Sequence, residues 1–464
     1  MSASTRKAVA NSRWSLPFIL LCLLLAVLCL AGGASRGEVS GQLVTRAATW
    51  ALLVGAALFA DRPRVDGTRP VLLILVAAQA IVLLQLIPLP PALWQALPGR
   101  ALFAEAAVSS GQPQPWRPLS IVPGATINAA ASLVVPWAVW AFASGLRDAE
   151  RRRLPALLLV LVTVATFVGL LQLSGGGFDN PLLNDTPGQI SGTFANRNHF
   201  ALFLAFGCLI APVWAFQEDH RAGWRGPVAI ALVLLLVLTI LATGSRAGLA
   251  LGGVALLFGL VIVRQRLRRL LGRYPRWVFL ALIGGMLAVI AIFVLISVAA
   301  NRAESITRVF DNDVGQDMRR LGLPVVLSMV RTYFPAGTGM GSFDPMFRVH
   351  EPFSLLKLTY FNHAHNDLVE VVLDAGAAGL VLLAAALSWW LYAGWRCWRG
   401  DGAGGAMLPR LGWTMILLMV IASAFDYPAR TPMMMAVLVI AGMLMAWPDV
   451  KPSRGGGSGR GEKP

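Results

Sequence analysis

Apolar runs of roughly 20 residues recur from one end of this chain to the other, separated by short polar stretches. Each run is long enough to cross the hydrocarbon core of a bilayer as a helix. They fall at 15–33, 46–60, 70–89, 127–146, 154–174, 197–216, 227–243, 246–263, 278–299, 367–395, 411–426 and 431–447. No stretch sustains the alternation of an outer-membrane strand. In lipid every backbone group needs an internal partner, which helices supply. The pattern predicts an all-α polytopic integral membrane protein of about 12 transmembrane helices. Spans 1–9 occupy residues 1–299, a large polar loop with short helices 300–366, and spans 10–12 residues 367–450. A Gly-rich basic tail, 451–464, reads as disordered.

Composition agrees with this division. The chain has 464 residues, 56% hydrophobic and only 13% charged, too apolar for a soluble domain of that length. The net charge of +16 would suggest nucleic acid in a soluble protein. Here the basic residues sit mostly in short loops between spans and act as topology signals. They predict cytoplasmic N- and C-termini, with Arg264-Gln-Arg-Leu-Arg-Arg269 also inside. The loops 90–126, Pro-rich with Trp94 and Trp116, and 300–366 then lie outside. Arg6, Lys7 and Arg13 before an apolar run, with Ala31-Gly-Gly-Ala-Ser35 after it, resemble a signal peptide. The many later spans favour an uncleaved first helix. The four cysteines lie in or beside apolar runs without metal-ligand spacing, and no disulfide framework is expected.

Three polar clusters stand where the predicted topology has the chain re-enter the membrane from outside. The first is Gly192-Thr-Phe-Ala-Asn196-Arg197-Asn198-His199, the second Thr243-Gly-Ser245-Arg246-Ala-Gly248. The third is Phe361-Asn362-His363-Ala364-His365-Asn366-Asp367, which holds two of the five histidines. Asn196 or Asn198, Ser245, and Asn362 or Asn366 are plausible N-caps. Helix N-termini favour anions, and Arg197 and Arg246 add full charges suited to phosphate. Taken singly, an Arg at a span end is usually an anchor and an Asn or Ser a cap. Three such clusters on one face argue for a site instead.

The loop 300–366 adds a fourth element. Met318 to Tyr333 reads as an amphipathic helix with Pro324 near its start, carrying Arg319, Arg320 and Arg331. Arg320 and Arg331, three turns apart, share a face. Gly337-Thr-Gly339-Met-Gly341-Ser-Phe343 is a flexible turn, more often a plain turn than a phosphate loop. Asp311-Asn-Asp313 is a short acidic triplet of a common kind. An outer-face site has lipid phosphates and diphosphates as its anionic substrates. A sugar on a lipid diphosphate carries its own leaving group. Arginines and helix N-termini stabilise that group, and His363 or His365, kept neutral at a helix N-terminus, deprotonates an acceptor hydroxyl.

These residues resemble the O-antigen ligase/polymerase superfamily of bacterial membrane glycosyltransferases. Gly192 to Ala201, Gly244 to Gly248, and Gly339 to Phe343 followed by His363 to Asp367 carry the resemblance. So does the spacing of His365-Asn366, nine residues, then Gly376 and Gly379. It covers about 190–385. It implies a GT-C-like helical fold, a metal-independent reaction without cofactor, and a glycan donor on undecaprenyl diphosphate. The acceptor would be lipid A-core or a growing glycan, at the periplasmic face of the bacterial inner membrane. It places the catalytic roles on His365, Arg246 and Arg319 or Arg320, with His363 beside them. Arg197, Asn196, Asn198, His199, Ser245, Arg331, Asn366 and Asp367 would bind donor diphosphate and glycan. The family's further Thr-X-His after the Gly pair is Leu380-Val-Leu382 here, which leaves ligase and polymerase both open.

Two readings of other classes compete. A transporter of an anion or lipid-linked sugar would place acids or broken helices near the bilayer midplane, for which Asp374 and Asp426 are the candidates. A scaffold subunit gives no reason for the His-Ala-His-Asn-Asp cluster.

Overall fold

The computed structural model describes residues 14–174, 180–184, 188–217, 223–272, 314–356, 361–399 and 406–447, with isolated positions between 275 and 288. The predicted span 278–299, the acidic triplet Asp311–Asp313 and the basic tail lie outside the described residues.

The described chain is built from helices, and seven of its helical segments are long and apolar enough to cross a membrane. The order begins with α1 (Leu16–Ala31), α2 (Ser40–Phe59) and α3 (Arg69–Leu84). A short segment outside the long apolar helices follows, with α4 (Pro91–Gln95) and α5 (Ala101–Ser109) between the two-residue strands β1 (Pro88–Leu89) and β2 (Arg117–Pro118). These pair antiparallel, Pro88 opposite Pro118, so the loop 90–126 carries a small bridge that the apolar pattern does not announce. Trp94 is buried there with its indole donating to the Pro118 carbonyl at 2.9 Å, while Trp116 is exposed.

The predicted span 127–146 is two helices, α6 (Pro123–Ser132) and α7 (Val134–Ser144). Pro136 has no N–H for the carbonyl of Ser132, which is where the first helix stops. The short α8 (Asp148–Arg151) leads to α9 (Leu154–Leu173), and then come α10 (Arg197–Ala215), α11 (Arg225–Thr243) and α12 (Arg246–Leu271). α10 is the axis of the bundle, buried from Phe200 to Ala211 without interruption. Gly207 allows this approach, since a Cβ there would lie 2.7 Å from Leu236 and from Val162.

The loop helix α13 runs Val314–Tyr333, starting before the expected Met318, so Pro324 lies well inside it. It packs on α14 (Phe343–His350) through Val326, Met329, Tyr333, Phe343, Met346 and Phe347. The last helices are α15 (Asp367–Arg399), α16 (Met407–Ser423) and α17 (Pro432–Ala446), with a 3-10 turn at Pro428–Arg430.

α15 is not the continuous span that its apolar run suggests. Gly376 has φ 57 and ψ −140, which breaks the helix. The break frees carbonyls that the Gly337–Gly341 turn then uses. Thr338 and Gly339 N–H groups donate to the carbonyls of Leu373 and Asp374, at 3.0 and 2.9 Å. The Met340 N–H donates to Gln85 Oε1 and the Gly341 N–H to Asp374 Oδ2. Gln85 Nε2 returns a bond to the Asp374 carbonyl. The glycine turn therefore docks the loop onto the broken helix; its amides are taken and it is not a phosphate cradle.

A Cβ at Gly376 would stand 2.0 Å from the Pro335 carbonyl oxygen and would add strain at positive φ. Gly376→Ala is expected to lower the thermal midpoint of the detergent-extracted protein by several degrees or to abolish its assembly. Gly124→Ala, where nothing lies within 4 Å, serves as the unaffected control.

Candidate active site

The three polar helix starts meet at one end of the bundle, around a carboxylate of a different segment, Asp426. Asn196 caps α10 by accepting from the Asn198 N–H at 2.8 Å, and Ser245 caps α12 by accepting from the Gly248 N–H at 2.9 Å. Asn198 Nδ2 donates to Asp426 Oδ2 at 2.7 Å, and its Oδ1 accepts from Ser245 Oγ at 2.8 Å. Asn196 Nδ2 lies 3.3 Å from the same oxygen. His365 Nδ1 lies 3.2 Å from Asp426 Oδ1, and His199 Nε2 lies 3.7 Å from it. Arg319 reaches in from α13, its Nη2 3.5 Å from Oδ2. Asp426 is only 4% exposed.

Burial alone would raise the Asp426 carboxyl. The facing His199 and His365 imidazoles and the charge of Arg319 more than offset it and hold the group well below the usual carboxylate range. It is therefore an ionised acceptor, and it fixes the N–H of His365 on Nδ1 and leaves Nε2 as the basic nitrogen. Burial, with the nearby Arg319 and His363, pushes the His365 imidazole below its ordinary 6.5 against the opposing pull of Asp426. His365 also holds a left-handed backbone, φ 51, an uncommon state for a non-glycine residue and one found at strained functional positions.

Tyr427 sits among three imidazoles, with ring centroids 4.2 Å from His363, 4.9 Å from His365 and 5.0 Å from His199. Burial, then the Asp426 charge, push its phenol up to about 12, so it stays protonated. His363 is tied elsewhere. Its Nδ1 lies 2.8 Å from Glu370 Oε1, while Glu370 Oε2 accepts the Ala364 N–H at 2.8 Å. Asn366 caps α15 by accepting from the Val369 N–H and donates to the Ala424 carbonyl. Asp367 accepts from Ser423 Oγ and from the Ala429 N–H.

Below these lies an arginine that the sequence reading passed over. Arg430 faces three carboxylates, Asp367 Oδ1 at 3.4 Å, Glu370 Oε1 at 3.3 Å and Asp374 Oδ2 at 3.4 Å. Burial would lower it, but the three acids raise it above its ordinary value, so it is permanently charged. Asp374, a transporter candidate by sequence, is thereby consumed in an internal ion cluster. Asp426, Tyr427, Glu370 and Arg430 were all missed or misassigned because each is a lone residue without a motif. The one signal was an acid at the end of an apolar run, placed before Tyr-Pro.

A cleft of about 280 Å³ opens beside Asp426, lined among others by Arg36, Arg197, Arg319, Asn196, His199 and Tyr427. No carboxylate is among the described residues that line it, so it favours an anion. Arg246 begins α12 next to Ser245, outside that lining. Two expected site residues lie elsewhere. Arg320 is exposed, turned about 100° from Arg319 by the helix. Arg331, also exposed, stands roughly 18 Å along the helix from Arg319. The two share a face as the spacing predicts, but that face is not the one at the cleft. No group of three or more His, Cys, Asp and Glu among the described residues is placed to hold a metal ion.

A helical membrane protein with a histidine paired to a buried carboxylate beside a cationic cleft is the class that fold and site define. Residues 230–384 match the family model described as O-antigen ligase, which is the superfamily that the sequence motifs resemble. The matched segment holds Ser245, Arg246, Arg319, His363 and His365, and ends before Asp426. No curated protein matches the chain.

Removing the guanidinium would leave three buried carboxylates without a counter-charge, at a cost of about 3–5 kcal/mol. Arg430→Gln is expected to yield little folded protein, and Arg430→Lys an intermediate thermal midpoint, measured on detergent-extracted protein.

Proposed function

We propose that this protein is a membrane glycosyltransferase that moves a glycan from a polyprenyl diphosphate, undecaprenyl diphosphate in bacteria, to an acceptor hydroxyl. The reading is supported most by one observation: the His365–Asp426 pair at 3.2 Å, its carboxylate buried, beside a cleft with three arginines. The family match points to ligase- or polymerase-type glycan transfer.

In this scheme the acceptor hydroxyl gives its proton to His365 Nε2, and Asp426 stabilises the imidazolium that forms. The acceptor oxygen bonds to the anomeric carbon. The bond from that carbon to the diphosphate oxygen breaks, and the diphosphate leaves with the electron pair. Arg319, Arg197 and Arg246, with the N-termini of α10 and α12, meet its developing charge. Asp426 acts as a positioning residue, holding His365 by its Nδ1. His363 bound to Glu370 fixes the loop on which His365 sits. No metal or cofactor is assigned a part. The charge pattern of the loops supports a site at the periplasmic face of the inner membrane, in a twelve-span, GT-C-like plan.

Transport is the weaker reading. Its best support is the break in α15 beside Asp374. Yet the freed carbonyls bond to the glycine turn and to Gln85, and the acid faces Arg430, which leaves no open coordination for cargo.

His365→Ala and Arg246→Ala are each expected to abolish transfer while leaving membrane assembly intact; normal transfer by either variant would sink the proposal. Because the His365 imidazole is shifted down, its basic form persists to lower pH. The acid limb of kcat/KM is expected to have its midpoint below 6.5, and a midpoint at or above that value would contradict His365 as the base. In a deletion strain, full-length lipid-linked glycan would mark a ligase and single repeat units a polymerase.

A further inference from the structure

His199 differs from its neighbours. Asn196, Asn198, Ser245, Arg319 and His365 all direct polar atoms at Asp426 or at one another. His199 is 2% exposed, and neither ring nitrogen has a hydrogen-bond partner among the described residues. It lines the cleft. Its ring stands edge-on to Tyr427, 5.0 Å away at 90°, which fixes its plane. An unpaired buried imidazole is costly unless a bound molecule completes it.

The chemistry of that molecule follows from the tautomer. Nε2 is the nitrogen near the Asp426 carboxylate, 3.7 Å from Oδ1. An ionised carboxylate only accepts, so in the neutral ring Nε2 carries the hydrogen and Nδ1 keeps the lone pair. This is the reverse of His365, whose Nδ1 faces the same oxygen. A lone pair accepts from a hydroxyl and repels a phosphoryl oxygen, which has no proton to give. Phosphate oxygens find their donors instead on Arg36, Arg197 and Arg319 across the same cleft.

We infer that His199 is a saccharide-reading residue, whose Nδ1 accepts a hydrogen bond from a sugar hydroxyl of the glycan substrate. The inference rests on the glycan-transfer reading and adds to it a division of labour. Arginines hold the diphosphate, His365 takes the acceptor proton, and His199 reads the sugar.

The test uses full-length protein in nanodiscs, lipid-linked glycan extracted from the cells that make the protein, and inorganic diphosphate as a competing probe. His199→Phe keeps a flat ring but no acceptor. It is expected to raise the donor KM about tenfold or more with kcat changed less than about threefold. The inhibition constant of inorganic diphosphate should stay as in wild type. His199→Gln, which offers an amide oxygen, should restore most of the lost affinity. Should the Phe variant not assemble, His199→Leu takes its place with the same expectations. Wild-type transfer with an unchanged KM in these variants would overturn the inference alone. So would diphosphate inhibition weakened in step with donor affinity, because His199 would then read phosphate. A wild-type protein that transfers nothing would overturn the glycan-transfer reading and this inference with it.

Discussion

A carboxylate taken out of water must be solvated by the protein around it, and Asp426 meets this need by gathering groups from three separate parts of the chain. Its Oδ2 takes amide N–H from the start of α10 and lies near the guanidinium of α13, while its Oδ1 faces the imidazoles of His365 and His199. Each of these groups belongs to a segment far away in sequence. The start of α10, Arg319 of α13 and the His365 turn before α15 meet at an ionised, 4%-exposed acid, and Ser245 at the start of α12 joins them through Asn198.

The same logic repeats one layer deeper with the sign reversed. Arg430 is a buried cation that three acids must neutralise, and one of them, Glu370, holds the His363–Ala364 backbone. The 426–430 turn thus supplies both centres, an anion for His365 and a cation for the acids of α15. The break at Gly376 extends the chain of constraint to the loop, because the carbonyls it frees accept the amides of the glycine turn. α14 follows that turn and packs on α13, the helix that carries Arg319. Positioning of the site therefore depends on packing well outside it.

Much of the fold was legible in the apolar runs, since bilayer thickness imposes a length that composition displays directly. The helix starts at Asn196, Ser245 and Asn366 were legible too, because caps leave local signatures. What did not show were consequences of tertiary contact. Leu133 gives no sign that a span divides there, and Gly376 was read as one of a glycine pair and not as a helix break. Asp426 was weighed only as a transport acid, because its partners lie up to 230 residues away. Arg430 was passed over, because no motif sets it apart from the other basic residues. Adjacent Arg319 and Arg320 cannot be told apart by motif, yet a 100° turn of the helix sends one to Asp426 and the other to the surface.

The measurement that bears most directly on Asp426 as the organising carboxylate is the transfer rate of Asp426→Asn. This change keeps the shape but presents an amide to donors that need an acceptor. With protein of normal yield and monodispersity, kcat is expected to fall roughly 100-fold or more, with the loss undiminished at alkaline pH, since the base has lost its orientation as well as its counter-charge. Transfer within about threefold of wild type by that variant would contradict the account.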